Sequence, residues 1–368
     1  MKDRSISADQ LAAVLSVIFL SPALRLVPSL SASLAGDAAW LCAPAAFLPA
    51  AAYLFLACRA ASLRREGEGL CELLLRALPG RAGRAAVGLL GLWLLAYSGF
   101  VLRSGADRFI VTVYPGAPVG FFVISMCAAA LVAALSPPHC AGRIAKLVLP
   151  AAAGALIVVL GAGLSALRPA ELCRLVPGDA PRLLAGSLGT LDVLSWSVYA
   201  SFMLLGAVKE DGRALRRALL PRLGGACLLL GLMCAELLGS FGAELTASLS
   251  WPFFSLVRNL VFFRSVERIE ALVVALWIFP DFLIVSVFLR AARRALSLAL
   301  PGTARGRLAR RSLLPLCAAA TVVFALLTAR DAASLELWSQ RYIPCASMFV
   351  AFVFLPGVLA AGRARGRL

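Results

Sequence analysis

The chain has 368 residues, of which 61% are hydrophobic and 15% charged, and its mean hydropathy is +0.90. A water-soluble domain of this size could not bury so much apolar surface, so the composition excludes a soluble globular protein and predicts an integral membrane protein. The net charge of +17 is compatible with nucleic acid binding, but basic residues of membrane proteins gather on the cytoplasmic side, so their placement has to be examined.

Ten stretches are apolar enough to span a bilayer, which requires ~20 residues each. The first follows Lys2 and Arg4 and precedes a small-residue site at Ala35, as in a signal peptide, but its length and the polytopic remainder favour a span. The predicted spans are 8–28, 38–58, 84–104, 118–137, 145–166, 186–208, 223–243, 269–291, 312–329 and 343–362.

Lysine and arginine are divided unequally between the connections. With residues at the span ends counted in the adjoining connections, the N-terminus, the even-numbered connections and the C-terminus hold 25 of the 36, the odd-numbered connections hold 10, and Arg25 alone is left within a span. The positive-inside rule therefore predicts that both termini are cytoplasmic, which agrees with an even number of spans. Topology accounts for the net charge, and no nucleic acid partner is expected.

Ten spans divide into two sets of five, the size of transporters built from inverted repeats, in which the first helix of each half is broken. We predict a single membrane domain, 1–368, with repeats over about 8–166 and 186–362. In the first span Pro22 removes a backbone donor and disfavours helix at Ser21, and Pro28 repeats the effect. The alternative is that these prolines only kink the helix.

The sixth span contains a second candidate break in the sequence AGSLGTLDVLSWS. Broken helices free backbone N–H and C=O groups that can bind a small zwitterion near the midplane. Helix packing by the same small residues is the alternative. The predicted substrate-binding residues are Ser21, Pro22, Ala23 and Arg25 of span one with Gly189, Thr190, Asp192, Ser195 and Ser197 of span six.

A short amphipathic segment, 251–264, separates spans seven and eight. As a helix it is roughly 21 Å long, too short to cross the ~30 Å hydrocarbon layer. Phe253 and Leu256 share its apolar face, and Arg258 leaves that face. Glu267 and Glu270 then meet the positive end of the helix dipole at the start of span eight, and Arg268 can offset their charge. We predict an interfacial helix that covers the outer surface or only packs there.

The same stretch resembles a known family. Its charged and aromatic residues occur in the order typical of the GerAB-type (GerKB-type) spore germination permeases, the B subunits of nutrient germinant receptors. AGDAAW, 35–40, also resembles the A-G-x-D-A-W of that family, although Asp37 stands one place early. The residues of the main motif are Pro252, Arg258, Glu267, Arg268, Ile269, Glu270, Ala271 and Trp277.

The resemblance implies a fold of the amino acid/polyamine/organocation permease superfamily, with a LeuT-like five-plus-five core. In that fold the connection between spans seven and eight is a helical lid, which implies a gating role for Arg258, Glu267 and Arg268. The resemblance also implies a receptor A subunit and a lipoprotein C subunit as partners. It implies a location in the inner membrane of the spore or in the cell membrane.

Away from the span ends, burying a charge is costly and functional roles are common, and the candidates at depth are Arg25, Asp192, Glu236 and Asp281. Arg25 can instead snorkel outward, Asp192 can lie in the outer mouth, and Glu236 can pair with a neighbour. Asp281 lies near the middle of span eight after Pro280, which frees carbonyl groups one turn back. By analogy with LeuT-like transporters, we predict proton or cation coupling at Asp281, with a neutral structural aspartate as the alternative.

The sequence contains no P-loop, HExxH or GxSxG motif, and His139 is its only histidine. Its ten cysteines form no CxxC pair. We therefore expect no enzyme activity, cofactor or metal site.

The leading hypothesis is a membrane subunit that binds a small nutrient, amino acid-like in chemistry, and signals to partner subunits. A stand-alone proton- or cation-coupled amino acid or amine transporter is the main alternative, because the same binding chemistry would serve both. A scaffold with a vestigial pocket is a third. Genes for an A and a C subunit beside this one would favour the receptor.

Overall fold

The computed structural model describes residues 5–65, 67–164, 168, 179–259, 269–300, 304–328 and 331–367. Within these ranges the chain is helical except for short connections, and an isolated β-bridge joins Ile6 to Val208. The predicted all-α class is confirmed.

The helices are numbered here in chain order, and each of the ten predicted spans falls on one of them. The last helix, α12, alternates between α and π geometry through Ala332–Leu337, Trp338–Tyr342 (π), Ile343–Met348, Phe349–Phe354 (π) and Leu355–Ala364. The others are α1 Ala8–Ala35, α2 Ala39–Leu63, α3 Leu70–Ala77, α4 Gly80–Thr112, α5 Val119–Leu135, α6 Pro138–Gly163, α7 Ala180–Leu204, α8 Gly212–Ser248, α9 Pro252–Asn259, α10 Ile269–Ala299 and α11 Ala304–Thr328.

Several of these helices are long and apolar enough to cross a membrane. In the described part of the chain, 5 helical stretches meet that requirement by length and composition, and the first, Ala8–Leu63, contains two predicted spans. Two further apolar helices, Val119–Leu135 and Ser312–Thr328, are shorter. The protein is therefore an integral, multi-pass membrane protein.

The ends of α1 are fixed by local sequence. Ser7 and Gln10 form a capping box, in which each side chain accepts a hydrogen bond from the backbone N–H of the other residue, at 3.2 and 3.1 Å. At the other end Gly36 has a φ of +56°, which favours glycine and lets the chain turn into α2 within three residues, Gly36–Ala38.

The long helices form two groups of four. The first bundle consists of α1, α2, α7 and α8, and the second bundle consists of α4, α5, α10 and α11. Each bundle takes two consecutive helices from each half of the chain, which agrees with the predicted five-plus-five organisation. Contacts of α1 with α6 and α10 connect the first bundle to the rest of the protein.

Small residues set the spacing of helices in the first bundle. A Cβ atom at Gly231 of α8 would lie 3.0 Å from both the carbonyl oxygen of Trp40 and the Pro44 side chain of α2. Such close backbone approach gives the dispersion contacts that hold membrane helices together in the absence of a hydrophobic driving force.

The weak points predicted in the first and sixth spans lie inside continuous helices. Pro22 and Pro28 are both within α1, where their missing N–H groups leave carbonyl oxygens one turn earlier without the usual helical donor. Gly189 likewise lies within α7. The described break is elsewhere, at Gly242 of α8, whose φ of +76° and ψ of 169° are not helical.

A helix is present where the interfacial helix was predicted: in α9, Phe253 and Leu256 are buried and Arg258 is exposed, and its position at the membrane surface stays a prediction. It packs against α1, α8 and α10. Residues 260–268, including Glu267 and Arg268, lie outside the described residues, so a lid function for this segment stays a prediction.

Candidate functional site

Ser21, Arg108 and Asp281 connect α1, α4 and α10 in the interior of the helix assembly. The Ser21 hydroxyl donates to Oδ1 of Asp281 at 2.6 Å and accepts a hydrogen bond from Nη1 of Arg108 at 3.1 Å. Arg108 also forms an ion pair with Oδ2 of Asp281 through Nη2, and both side chains are 4% exposed. A buried ion pair is costly to desolvate unless its geometry and hydrogen bonds are good, so it points to a specific role.

Glycine on α4 makes this arrangement possible. A Cβ atom at Gly105 would lie 3.1 Å from Oδ2 of Asp281, so a larger residue would push the carboxylate away from Arg108. The guanidinium is held further by its Nε, which donates to the carbonyl of Ser104 at 3.3 Å. On the other side it lies 5.6 Å from the centre of the Trp277 ring, within cation–π range.

Arg25 lies beside this triad but has different partners. Its Nη1 donates to the hydroxyls of Ser104, at 2.7 Å, and Ser339, at 3.5 Å, and its guanidinium lies 5.5 Å from the Phe100 ring centre. Arg25 is partly exposed, and among the described residues no carboxylate lies within ion-pair distance of it. It is therefore a cation in the helix interior with hydroxyls in place of a counter-ion.

Asp192 on α7 faces the last helix. Its side chain accepts a hydrogen bond from Ser347, and its backbone carbonyl accepts one from Ser195 at 2.7 Å. The buried phenol of Tyr97 on α4 lies within electrostatic range of Arg25, Asp192 and Asp281.

The structure brings only some of the predicted residues together. Ser21 and Asp281 both contact Arg108 of α4, and Arg25 contacts Ser104 of the same helix. By contrast, Thr190 forms a 3.1 Å hydrogen bond with Ser31, ten residues or about 15 Å along α1 from Ser21. A Cβ at Gly189, in the same turn, would meet Leu30 at 3.0 Å.

The remaining predicted residues have no described ligand-binding arrangement. Pro22 and Ala23 are buried in α1, and Arg258 is exposed on α9. The side chain of Ser197 lies outside the described residues, as do Glu267 and Arg268. The roles assigned to all of these residues stay predictions.

Arg108 was not among the predicted site residues. We ended the third span at residue 104, whereas α4 continues to Thr112 and buries both Arg103 and Arg108, which are 5% and 4% exposed. A usable signal was present: Arg103 and Asp107 are four residues apart and pair at 3.4 Å, so their charges partly compensate within the helix. With that compensation taken into account, the apolar residues after Arg108 indicate that the helix continues, as it does to Thr112.

Glu236 is another charged residue in the interior of the helix assembly. Both carboxylate oxygens of Glu236 on α8 are buried without a hydrogen-bond partner among the described residues.

Asp9, at the start of α1, forms exposed ion pairs with Lys146 of α6 and Arg222 of α8. Lys146 therefore connects α6 to α1. Within the described ranges no three His, Cys, Asp or Glu side chains come together as a possible metal site.

Comparison with known proteins gives one family and a common fold. Residues 6–333 match the model of a family described as spore germination protein. No curated protein sequence matches the chain significantly.

Solved structures similar to this chain are those of membrane transporters. Mhp1, a nucleobase-cation-symport-1 family transporter in a closed conformation with bromovinylhydantoin bound, has a TM-score of 0.67 at 12% identity, covering 96% of this chain and 78% of its own. A mutant of the Eremococcus coleocola manganese transporter gives 0.54 at 14% identity over 95% and 76% of the two chains. The same transporter with an aromatic bis-isothiourea compound gives 0.52 at 15% identity over 96% and 76%. At these identities the likeness concerns the fold, which is LeuT-like as predicted.

Proposed function

The chain belongs to the spore germination protein family, and from that premise we propose that it is the permease-like subunit of a nutrient germinant receptor. In this role it binds a small amino acid-like nutrient among its membrane helices. It passes the binding event to a receptor A subunit and a lipoprotein C subunit. The family match and the transporter fold support the permease-like character from which the proposal starts.

The observation that carries the proposal is the environment of Arg25. A guanidinium held by Ser104 and Ser339, with no carboxylate in ion-pair distance among the described residues, suits the carboxylate of a ligand. Arginine binds carboxylates through a planar fork of donors, and a ligand anion would neutralise a charge that is otherwise expensive inside a membrane. We therefore assign the ligand carboxylate to Arg25.

Asp192 supplies the opposite charge for the ammonium group of the same ligand. It is 5% exposed, accepts a hydrogen bond from Ser347 and has no cation in ion-pair distance among the described residues. Tyr97 lies within electrostatic range of both Arg25 and Asp192. A zwitterion between these two residues would contact α1, α4, α7 and α12 together, which is how a small ligand could change the packing of two bundles.

Ligand-dependent stability of the purified protein tests this assignment. Each standard amino acid and its carboxamide is added, and the midpoint of thermal unfolding is measured in detergent. A ligand at a hundredfold excess over its Kd stabilises the folded state by ~2.7 kcal/mol, so binding is easily detected. We expect stabilisation by one or a few amino acids, none by their carboxamides, and none in Arg25→Gln.

The matched control is Arg81→Gln, at an exposed position near the start of α4. It should respond to amino acids as the unmodified protein does. Equal stabilisation by the carboxamide, or a full response in Arg25→Gln, would reject Arg25 as the carboxylate site. The receptor role itself is tested in spores that lack this gene, which should lose the nutrient response.

A stand-alone transporter is the second candidate, and the contact of Ser21 with Asp281 favours it. That hydrogen bond ties α1 to α10 beside an ion pair, which is where a proton or cation could couple to movement of α1. Uptake of a labelled amino acid into vesicles containing this chain alone would establish transport. Nutrient-dependent germination without such uptake would favour the receptor role over transport.

We also propose that both termini are cytoplasmic and that the protein lies in the inner membrane of the spore. A single cysteine at Gly67, which is exposed between α2 and α3, tests the orientation in a background without native cysteines. Leu70, at the start of α3, is 2% exposed and is unsuitable for labelling. Labelling at position 67 by an impermeant external reagent would reverse the proposed orientation.

A further inference from the structure

A cavity of about 600 Å³ lies in the second bundle, between α4, α5 and α10. This volume is typical of sites for small molecules, which usually occupy 300–1,000 Å³. Arg108 and Asp281 line it, on the side of the ion pair away from α1. Its other described lining residues are Gly105, Ala106, Phe109, Phe122, Ser125, Met126, Ala129, Trp277, Ile278, Phe279 and Phe282.

The opening of this cavity faces the surroundings of the protein sideways, between helices. Ser125, Ala129 and Ile278 are exposed lining residues, and the neighbouring Phe121 and Ile124 are 65% and 55% exposed. In a membrane-spanning bundle, an apolar surface of this kind lies against lipid chains. The cavity therefore opens towards the bilayer.

Helix geometry places the cavity within one half of the membrane. Arg108 is four residues, about 6 Å, from the end of α4 at Thr112. Phe122 and Ala129 are three and ten residues from the start of α5 at Val119, which is the same end of the assembly, so the lining reaches about 15 Å into the membrane. On α10, however, Trp277 and Asp281 are eight and twelve residues, about 12 and 18 Å, from the helix start at Ile269, so the polar end lies below the level of lipid glycerol esters and a lipid bound there would be drawn inward from that level. The apolar wall lies at the level of the acyl chains.

Trp277 leaves a hydrogen-bond donor in this wall. Its side chain is 3% exposed, and its indole N–H has no acceptor among the described residues. The ring is fixed between Arg108, 5.6 Å from its centre, and the Phe254 ring, with 5.5 Å between centroids. Because a buried indole N–H normally has an acceptor, this one suits a ligand oxygen.

We propose that the cavity binds an acyl chain of a membrane glycerolipid, with the ester carbonyl oxygen accepting the hydrogen bond of Trp277. The chain itself would lie against Phe122, Met126 and Phe282. A neutral ester fits this site better than the carboxylate of a free fatty acid, because the charge of Arg108 is already balanced by Asp281 and a second buried anion would lack a counter-ion. The lipid would then contact the ion pair directly on the side opposite Ser21.

Photolabelling tests the proposal on the full chain. The protein is reconstituted in phosphatidylglycerol and phosphatidylethanolamine vesicles containing a phosphatidylglycerol with a diazirine in one ester-linked acyl chain. After irradiation, the labelled residues are mapped by mass spectrometry. We expect the label to concentrate on the lining residues of α5 and α10 rather than on other exposed apolar side chains such as Leu89, Leu147 and Leu228.

Two neighbouring positions on α5 provide matched variants. Ala129→Phe fills the cavity and should lower the label there about tenfold, a change that corresponds to ~1.4 kcal/mol of binding. Ala128→Phe makes the same substitution at an exposed residue that does not line the cavity and should leave the label unchanged. Equal labelling in the two variants, or labelling spread evenly over the lipid-facing surface, would overturn the proposal.

Two further probes test the ester and the source of the chain. An ether-linked analogue lacks the carbonyl oxygen and should label the cavity more weakly than the ester, and Trp277→Phe should abolish that difference. Equal labelling by ester and ether in the unmodified protein would refute the hydrogen bond to Trp277. Labelling of the cavity by a diazirine fatty acid but not by the phospholipid would overturn the assignment to a glycerolipid.

Discussion

In the first bundle α2 meets α8 through small residues, whereas in the second bundle α4 meets α10 at a buried ion pair beside a cavity. The packing at Gly231 depends only on the complementary shapes of α2 and α8. If these two helices moved apart, many dispersion contacts between them would be lost. Contact at Arg108 and Asp281 depends on charge, direction and the nearby hydroxyl of Ser21. Close packing at Gly231 favours a rigid pair of helices. At the ion pair, by contrast, a few polar groups determine the relative position of α4 and α10.

Replacing Asp281 should have the largest effect. Asp281→Asn leaves Arg108 buried without its counter-charge, and breaking a buried pair in this way typically costs ~3–5 kcal/mol. We expect a lower midpoint of thermal unfolding in detergent and less protein in the membrane. The pairing with Arg108 also means that the effect of Asn on the nutrient response cannot be assigned to protonation of Asp281 alone.

A double variant separates these causes. Arg108→Gln with Asp281→Asn removes both charges and should recover part of the lost stability. Once stability is restored, a blunted nutrient response would point to coupling through Asp281. Strictly additive losses in the double variant would show that the two residues do not stabilise each other.

Enlarging Gly231 tests the first bundle. Gly231→Val forces side-chain atoms against the Trp40 carbonyl and Pro44, and overpacking of this kind typically costs ~1–3 kcal/mol. Gly225→Val is the control on the same helix, because a Cβ there would meet no atom within 4 Å. The unfolding midpoints of the two variants should differ clearly, and equal midpoints would mean that close approach of α2 and α8 is unimportant.

The smallest effect is expected at the start of α1. Asp9 pairs with Lys146 and Arg222, but the three side chains are 51%, 47% and 32% exposed. Exposed ion pairs contribute ~0–1 kcal/mol and are weakened by salt, so Asp9→Asn should change stability by no more than that, and less in high salt. A loss as large as that of Asp281→Asn would contradict the distinction between exposed and buried pairs.

The sequence predicted the helices well because hydropathy and capping act locally. Ser7 and Gln10 determine the start of α1 within four residues of chain, and each predicted span lies on a described helix. The fold class followed from the number of spans together with the resemblance to a family. The repeat boundaries at 8–166 and 186–362 stay a prediction.

The pairing of the buried charges could not be predicted from the sequence. Arg108 and Asp281 are 173 residues apart, and nothing local links them until α4 and α10 pack together. Arg108 was also hidden by the hydropathy criterion, which ends a span at clustered charges even where the charges compensate within the helix. Similarly, the separation of Thr190 from Ser21 follows from the register between α1 and α7, which a pattern of apolar residues leaves open.

The two π turns in α12 have a consequence for insertions and deletions. A π turn accommodates one residue more than an α-helix needs over the same path. Deleting a single residue there, such as the exposed Val353, would let the turn close as ordinary α-helix while Ser347 before it and Leu355 after it keep their orientations. A deletion elsewhere in a long helix rotates everything beyond it by about 100°. The last helix can therefore vary in length by one residue without losing the hydrogen bond of Ser347 to Asp192.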